Sequence, residues 1–542
     1  MSDTSTGAEG HGQKGVISEN GRFVAFETHL QLVPTDQNST FDVYVRDLLV
    51  DQTTRVSHTS SASQPNGNST DATMSGDGSL VAFTSHADNL VVGDLNGKTD
   101  VFLRDRSLGV TSLVSVDSSG VQGDRGSREA ALSTDGRYVA FVSDALNLVA
   151  NDLNGFADVF VRDLQTQTTT RVSLDSSGVE ANGDSSAPYL SADGRFVAFV
   201  SSASNLVVGD NNNWPDVFVH DRQTGQTTRV SVSTSGAEAD QPANGPTISA
   251  DGRYVAFDSF ASTLVAGDTG GFSDVFVHDR LTGVTRRASV TSTGEQGNQN
   301  SFYPSGFSTD GRWLAFSGPL SNLAGGDGGG FADVFLLDQS SGQAICVSRG
   351  SDDSFGNWNS GWPSGPSLSG DGRLVVFDSG AYNLVPGDTF IDDDVYVRDV
   401  GCSIPMVYCT AKVNSLGCAP WISLSSAPSA SASVGANVVT MNVRGLTTGL
   451  FFHRVGLPTA VPFHGGWLCV GTPVVRHALK ASGSGPTNCQ GQFSESFNAY
   501  IASGADPALV AGATVNIQSW GRDPAAPFTD SLSNAVTSVI CP

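Results

Sequence analysis

Lysine and arginine are scarce in this 542-residue sequence: 29 of them stand against 54 aspartates and glutamates, for a formal net charge of −25. That balance excludes nonspecific nucleic-acid binding, which needs cations against phosphate. Long apolar runs are missing too, so no segment reads as a membrane-spanning helix. Cysteine is nearly absent from the first 401 residues, where Cys346 stands alone and reads as a buried free thiol. Catalytic signatures are wanting: there is no Gly-x-Ser-x-Gly elbow, no His-Glu-x-x-His helix and no Walker loop. Charged residues make up only 15%, whereas glycine numbers 62, a composition that fits a soluble all-β chain rich in turns.

What the sequence does contain is one unit written seven times. Its anchoring turn is Asn20-Gly21, Asp77-Gly78, Asp135-Gly136, Asp193-Gly194, Asp251-Gly252, Asp310-Gly311 and Asp371-Gly372. The repeats fall near 16–57, 74–116, 132–174, 190–232, 248–290, 307–349 and 368–400. A period of this size means one supersecondary unit per repeat. Turn signals divide each unit into four apolar runs, strands a to d. In the fourth copy these are Tyr189–Ser191, Phe196–Ser201, Val217–His220 and Thr227–Val232. Asx-Gly supplies the positive φ of a tight hairpin, so a and b are antiparallel neighbours. Strand c is apolar on both faces, as Val159, Phe160 and Val161 show. Such a strand lies between two layers, and four-stranded sheets stacked around an axis meet that demand.

The hairpin Ser191–Phe199, of form Ser-x-Asp-Gly-x-x-x-Ala-Phe, and the strand Asp216–Asp221, Asp-Val-Phe-Val-x-Asp, recur along the chain. Together they resemble the TolB-like, WD40-like (PD40) β-propeller repeat of secreted bacterial proteins. The resemblance covers residues 1–401 and implies a seven-bladed β-propeller. It implies little about activity, because propellers bind, scaffold and catalyse.

After residue 401 the grammar changes. Residues 402–542 hold six Lys+Arg and four Asp+Glu, so the propeller segment carries 23 − 50 = −27 and the remainder +2. Six cysteines lie here, Cys402, Cys409, Cys418, Cys469, Cys489 and Cys541. An even count in a module of this length points to a disulfide-stapled β-sandwich in an oxidising compartment, with 15 pairings open. Paired zinc knuckles are lacking. The segments Tyr408–Cys418 and Gly504–Gly512 resemble C-terminal modules of secreted bacterial repeat proteins, which implies surface attachment or partner docking. The expected location is extracellular, periplasmic or at the cell surface. Residues 1–15 have no apolar h-region, and Met1–Gly7 aligns with the end of a d strand, so the chain reads as a trimmed mature form. Blade seven lacks its own d strand, and either Met1–Thr4 or Pro405–Tyr408 is expected to complete it.

Strand connectivity puts the a-to-b and c-to-d turns on one face, and the longer b-to-c and d-to-a loops on the other. Variable loops on a rigid scaffold are where recognition resides. The d-to-a loops carry Arg125, Arg128 and Glu129, then Phe302 and Tyr303, then Trp358 and Trp362; Trp214 sits in a b-to-c loop. Exposed Trp and Tyr among Asn and Gly suit stacking on sugar faces. Folding of these rings onto their own loops is the alternative. The b-to-c loops place Asp94, Asn96 and Asp100, then Asp152, Asn154 and Asp158, then Asp388, Asp392 and Asp394, at spacings that could wrap calcium without matching an EF-hand. Asx-turns and strand capping are the competing explanation. Glu129, Asp352 and Asp353 are the carboxylates a glycosidase would use on this face. His220 and His278 replace arginine in strand c and read as structural variants. Three functional readings follow: a glycan- or protein-binding scaffold, a polysaccharide hydrolase or lyase at the channel mouth, and a structural surface protein without a small ligand.

Overall fold

The computed structural model describes residues 12–400 except 270, 292, 325–329, 351–353, 386, 387 and 389–392. Beyond 400 it describes 406–408, 421–424, 437–443, 448–455, 461–463, 466–468, 475–477, 480–481, 491–503, 505–509, 514–522 and 530–539. The chain divides into two compact units, Met1–Arg398 and Asp399–Pro542.

The first unit is a seven-bladed propeller. Blades one to five are four-stranded antiparallel sheets in the order a-b-c-d. In blade four the strands are Ser185–Leu190, Phe196–Ser201, Asp216–Asp221 and Gln226–Arg229. Strand a starts earlier than its apolar pattern indicates, because Ser185 and Ser186 continue the ladder across a bulge before Tyr189 pairs with Ala198. Strand d stops earlier: Val230 N–H turns back to Val217 O, and Val232 bridges Glu238. In blade six strand a is reduced to single bridges at Phe302 and Phe307, and in blade seven to Ser367–Leu368.

Each hairpin turn is built by side chains as much as by glycine. Ser191 Oγ donates to Asp193 Oδ1 at 2.7 Å, Arg195 N–H donates to the same oxygen, and Phe196 N–H donates to Ser191 Oγ. Gly194 has φ +65°, and a Cβ there would lie 2.2 Å from Tyr138 Cδ2 of the preceding blade. Gly194→Ala is therefore expected to cost about 1–3 kcal/mol, through left-handed strain and the clash with Tyr138, read as a lower urea midpoint of the full chain. Arg195 then closes the turn onto Asp221 at the end of strand c, 2.7 Å away.

The two-faced strand c works as expected. Val159 and Val161 pack with Val197, Phe199 and Phe218 of blade four, while Phe160 packs with Val101, Leu103 and Phe141 on the other side. Rings of strands b and c stack within each blade, as in Phe199–Phe218 at 5.9 Å. The ring closes through the same backbone links that join neighbouring blades. Gly12 N–H donates to Asp393 O at 2.9 Å, as Ser185 N–H does to Ala157 O, and Gly370 N–H donates to Glu19 O. Of the two segments expected to complete blade seven, Met1–Thr4 lies outside the described residues. Met406–Tyr408 pairs instead with Asp530–Val539, within the C-terminal unit.

Among its described residues, that second unit contains a six-stranded and a three-stranded antiparallel sheet, a two-stranded hairpin and one short helix, Phe497–Ala502, that strand patterning did not indicate. All six of its cysteines, and so the disulfide expectation, lie outside the described residues. Among the described residues no helix is long and apolar enough to cross a membrane. Cys346 is a buried free thiol, its pKa pushed up to about 12 by burial.

Candidate functional site

Strand a carries one bulge in each of blades one to five, and the residue there, like its counterpart in blades six and seven, has a left-handed backbone. These residues are Lys14, Asp71, Glu129, Ala187, Gly245, Tyr303 and Gly361, one repeat apart, with φ between +50° and +64°. Side-chain-bearing residues rarely adopt this conformation, and bulges re-aim side chains out of a ladder. Here Lys14, Asp71, Glu129 and Ala187 line a central cavity of about 440 Å³, walled by strand a of successive blades. The strand-a residues next to the d-to-a loops thus form one mouth of the channel, and Glu19 and Thr134 lie near its other, hairpin-turn end, joined by a 3.1 Å hydrogen bond.

One arc of the mouth is charged. Lys14 Nζ lies 2.6 Å from Asp71 Oδ1 and 3.4 Å from Glu27 Oε1, and Asp71 N–H donates to Glu27 Oε2. Burial works against the Lys14 charge, yet the two acids hold its pKa above the ordinary value; burial likewise pushes Glu27 up. Glu129 accepts from Ala187 N–H at 2.7 Å, and Arg128 reaches both Glu129 and Asp144. Arg125 is exposed in the same loop.

The opposite arc is aromatic. Trp362 lies edge-on to Phe302 and Tyr303, at 5.4 and 5.5 Å between ring centres, and Phe302 also meets Phe260. Trp362 and Phe260 remain 42% and 43% exposed, so the cluster is a surface rather than a core. Trp358, from the same loop as Trp362, lies against Phe331. Trp214 is exposed on blade four, its backbone N–H donating to Asn212. Asp352 and Asp353 lie outside the described residues.

Three buried acids beside this mouth escaped the sequence reading: Glu27, Asp258 and Asp378. All occupy the next-to-last position of strand b, where the other blades have Thr84, Val142, Val200 and Ser317. That substitution against the repeat was the available signal. Asp258 is pushed up to about 7 by burial, against a hydrogen bond from Tyr303 N–H, and a Cβ on Gly245 would sit 2.9 Å from its Oδ1. Asp378 is also pushed up to about 7 by burial.

In blades one, three, four and five the acids of the b-to-c loop meet an arginine of strand d. In blade three Arg171 Nη1 lies 3.0 Å from Asp152 and 3.1 Å from Asp158, and Nη2 lies 2.9 Å from Glu180. A guanidinium thus fills the place where calcium was expected. Asn96 and Asn154 do not present oxygen to that centre: their Nδ2 atoms donate to Asp100 and Asp158, and their Oδ1 atoms accept backbone N–H groups of Lys98 and Phe156. In blade seven Tyr396 donates to Asp388, Asp394 opens strand c, and Asp392 lies outside the described residues. Among the described residues no group of three or more His, Cys, Asp or Glu side chains is arranged to hold a metal. His220 and His278 bond Thr227 and Thr285 as Arg162 bonds Thr169, with pKa lowered by burial, which bears out their structural role.

No family model and no curated protein matches the chain. Solved structures that match include TolB from Acinetobacter baumannii, at 16% identity over 61% of this chain and 64% of that one, TM-score 0.35. Others are an oligogalacturonate lyase in complex with manganese, at 13%, 71% and 88%, TM-score 0.44, and the GH74 xyloglucanase from Xanthomonas campestris, at 9%, 80% and 58%, TM-score 0.40. This chain spans less than two thirds of that TolB. Likenesses this slight bring no activity with them, and the propeller rests on the strand pairing itself.

Proposed function

We propose that the protein is a binding protein of the periplasm, cell surface or extracellular space that takes a glycan at the channel mouth. The observation that carries this reading is the half-exposed cluster of Phe260, Phe302, Tyr303 and Trp362 across the mouth from Lys14, Asp71 and Glu129. Aromatic rings stack on the apolar faces of sugars, while carboxylate and ammonium groups take up hydroxyls. The C-terminal unit would serve as an attachment or docking module.

The experiment is retention of the full chain on a panel of insoluble and soluble polysaccharides. Trp362→Ala is expected to weaken retention about tenfold to a hundredfold, the loss of one stacked anchor worth ~1–3 kcal/mol. Retention on nothing, or retention indifferent to Trp362→Ala, removes this reading and leaves a protein partner or a structural surface role. One observation favours a second reading as a hydrolase or lyase: Asp258 and Asp378 are carboxyls whose pKa values, about 7, suit a proton donor near neutral pH. Release of oligosaccharides in the same incubation, lost in Asp258→Asn, would select it.

A further inference from the structure

Five blades share a buried acid pair between the b-to-c loop and the start of strand c: Asp36/Asp42, Asp94/Asp100, Asp152/Asp158, Asp210/Asp216 and Asp268/Asp274. In four of them a strand-d arginine lies between the two carboxylates. Arg55, Arg171, Arg229 and Arg287 each approach both acids at 3.0–3.5 Å. In blade two the corresponding residue is Leu113, at the end of strand Val110–Leu113, and it brings no charge.

The acids of blade two are nevertheless buried. Asp94 is 6% exposed and Asp100 fully buried. Gln122 Nε2 donates to Asp94 Oδ1 at 2.7 Å and to Asp100 Oδ2 at 3.0 Å, and Ser115 donates to Asp100 Oδ1, but Asp94 Oδ2 is buried without a hydrogen-bond partner among the described residues. Gln122 does not stand in for the missing cation. Blades one and five carry the equivalent glutamines, Gln64 and Gln296, on the same acids and keep their arginines as well. Two buried carboxylates with no counter-charge are costly, and burial alone disfavours their charged forms.

We propose that blade two binds a hard cation of the calcium class between Asp94 and Asp100, at the position the sister blades fill with guanidinium. The donors available are all oxygen, as such ions require. They are the two carboxylates and the backbone carbonyl of Gly93, whose counterparts Thr35 O and Gly209 O accept from Arg55 and Arg229. Asn96 holds the cradle in shape by clamping Asp100 to Gly123 O. The ion stabilises the loop beside the channel mouth and is independent of what the mouth binds.

The test uses chelator-treated full chain at pH 7.5, with Ca²⁺, Na⁺ and K⁺ added in turn. Wild type is expected to gain several degrees in Tm with Ca²⁺, since a ligand bound only by the native state stabilises it. Leu113→Arg, which copies the sister blades, is expected to lose that gain and to bind one Ca²⁺ fewer in equilibrium dialysis. Asp94→Asn should lose the response as well. A response to Na⁺ or K⁺ in place of Ca²⁺, abolished by Leu113→Arg, supports the site and reassigns its ion to the monovalent class. The proposal is overturned if wild type ignores all three cations, or if Leu113→Arg binds and responds as wild type does. It is equally overturned if Asp94→Asn matches wild-type stability with neither responding, since a proton would then neutralise the pair.

Discussion

Replacing Arg171 by leucine is expected to cost about 3–5 kcal/mol, the range for stripping the partner from a buried ion pair. Arg171 is 8% exposed at its side chain, and Asp152 and Asp158 are 2% and 0% exposed, so neither acid can be re-solvated without opening the loop. A propeller stable by ~5–15 kcal/mol would lose a large part of that margin. The hairpin pair Arg22–Asp47 makes the contrast. Its arginine is 43% exposed, so Arg22→Ala should cost far less than Arg171→Leu despite a 2.7 Å contact. Urea midpoints of the full chain decide between them. A loss under 1 kcal/mol in Arg171→Leu would mean that the acids find other compensation.

The second large effect is on pH dependence. Asp258 and Asp378 have native pKa values near 7, raised by burial, against about 3.9 in an unfolded chain. Between those values the native state holds protons that the unfolded state has released, so stability falls as pH rises from about 4 to about 7 and is level above. Asp258→Asn keeps an acceptor for Tyr303 N–H and removes the titration. It is expected to raise stability at pH 8 by about 2–4 kcal/mol and to change it little at pH 4. Asp163, Asp221 and Asp279 act in a separate window. The guanidinium groups of Arg137, Arg195 and Arg253 hold them well below the ordinary carboxylate range, so their contribution is lost only as pH falls below about 4. Unfolding of wild type and Asp258→Asn at pH 4, 6 and 8 tests this, and a difference between them that does not grow from pH 4 to 7 would show Asp258 ionised in the folded protein.

Of the candidate site, the sequence reading found the face and part of the surface. Tyr303 and Trp362 do meet, because strand a is innermost and consecutive d-to-a loops converge there. Trp358 does not join them, because Phe331 from the adjoining b-to-c loop gives its ring a nearer partner. Glu27, Asp258 and Asp378 were overlooked because each looks like an ordinary polar residue near a strand end. Their burial depends on the neighbouring bulge and blade. The counter-charges of the acidic loops were hidden for a similar reason. Thr-Thr-Arg was visible in strand d, yet only the pairing of d beside c lays Arg171 across Asp152 and Asp158.

The sequence by itself determined the number of blades, the turn that starts each one, the two-faced strand c and the side on which the long loops lie. Those are local or periodic signals, written within a few residues and repeated seven times. The tertiary structure decided which charges are paired and which are stranded, because burial and counter-ion placement arise between strands and between blades. It also decided where the backbone is left-handed, since the strand-a bulge answers to its pairing with strand b and to closure of the ring. Those two decisions turn a repetitive scaffold into a mouth with a charged arc and an aromatic one.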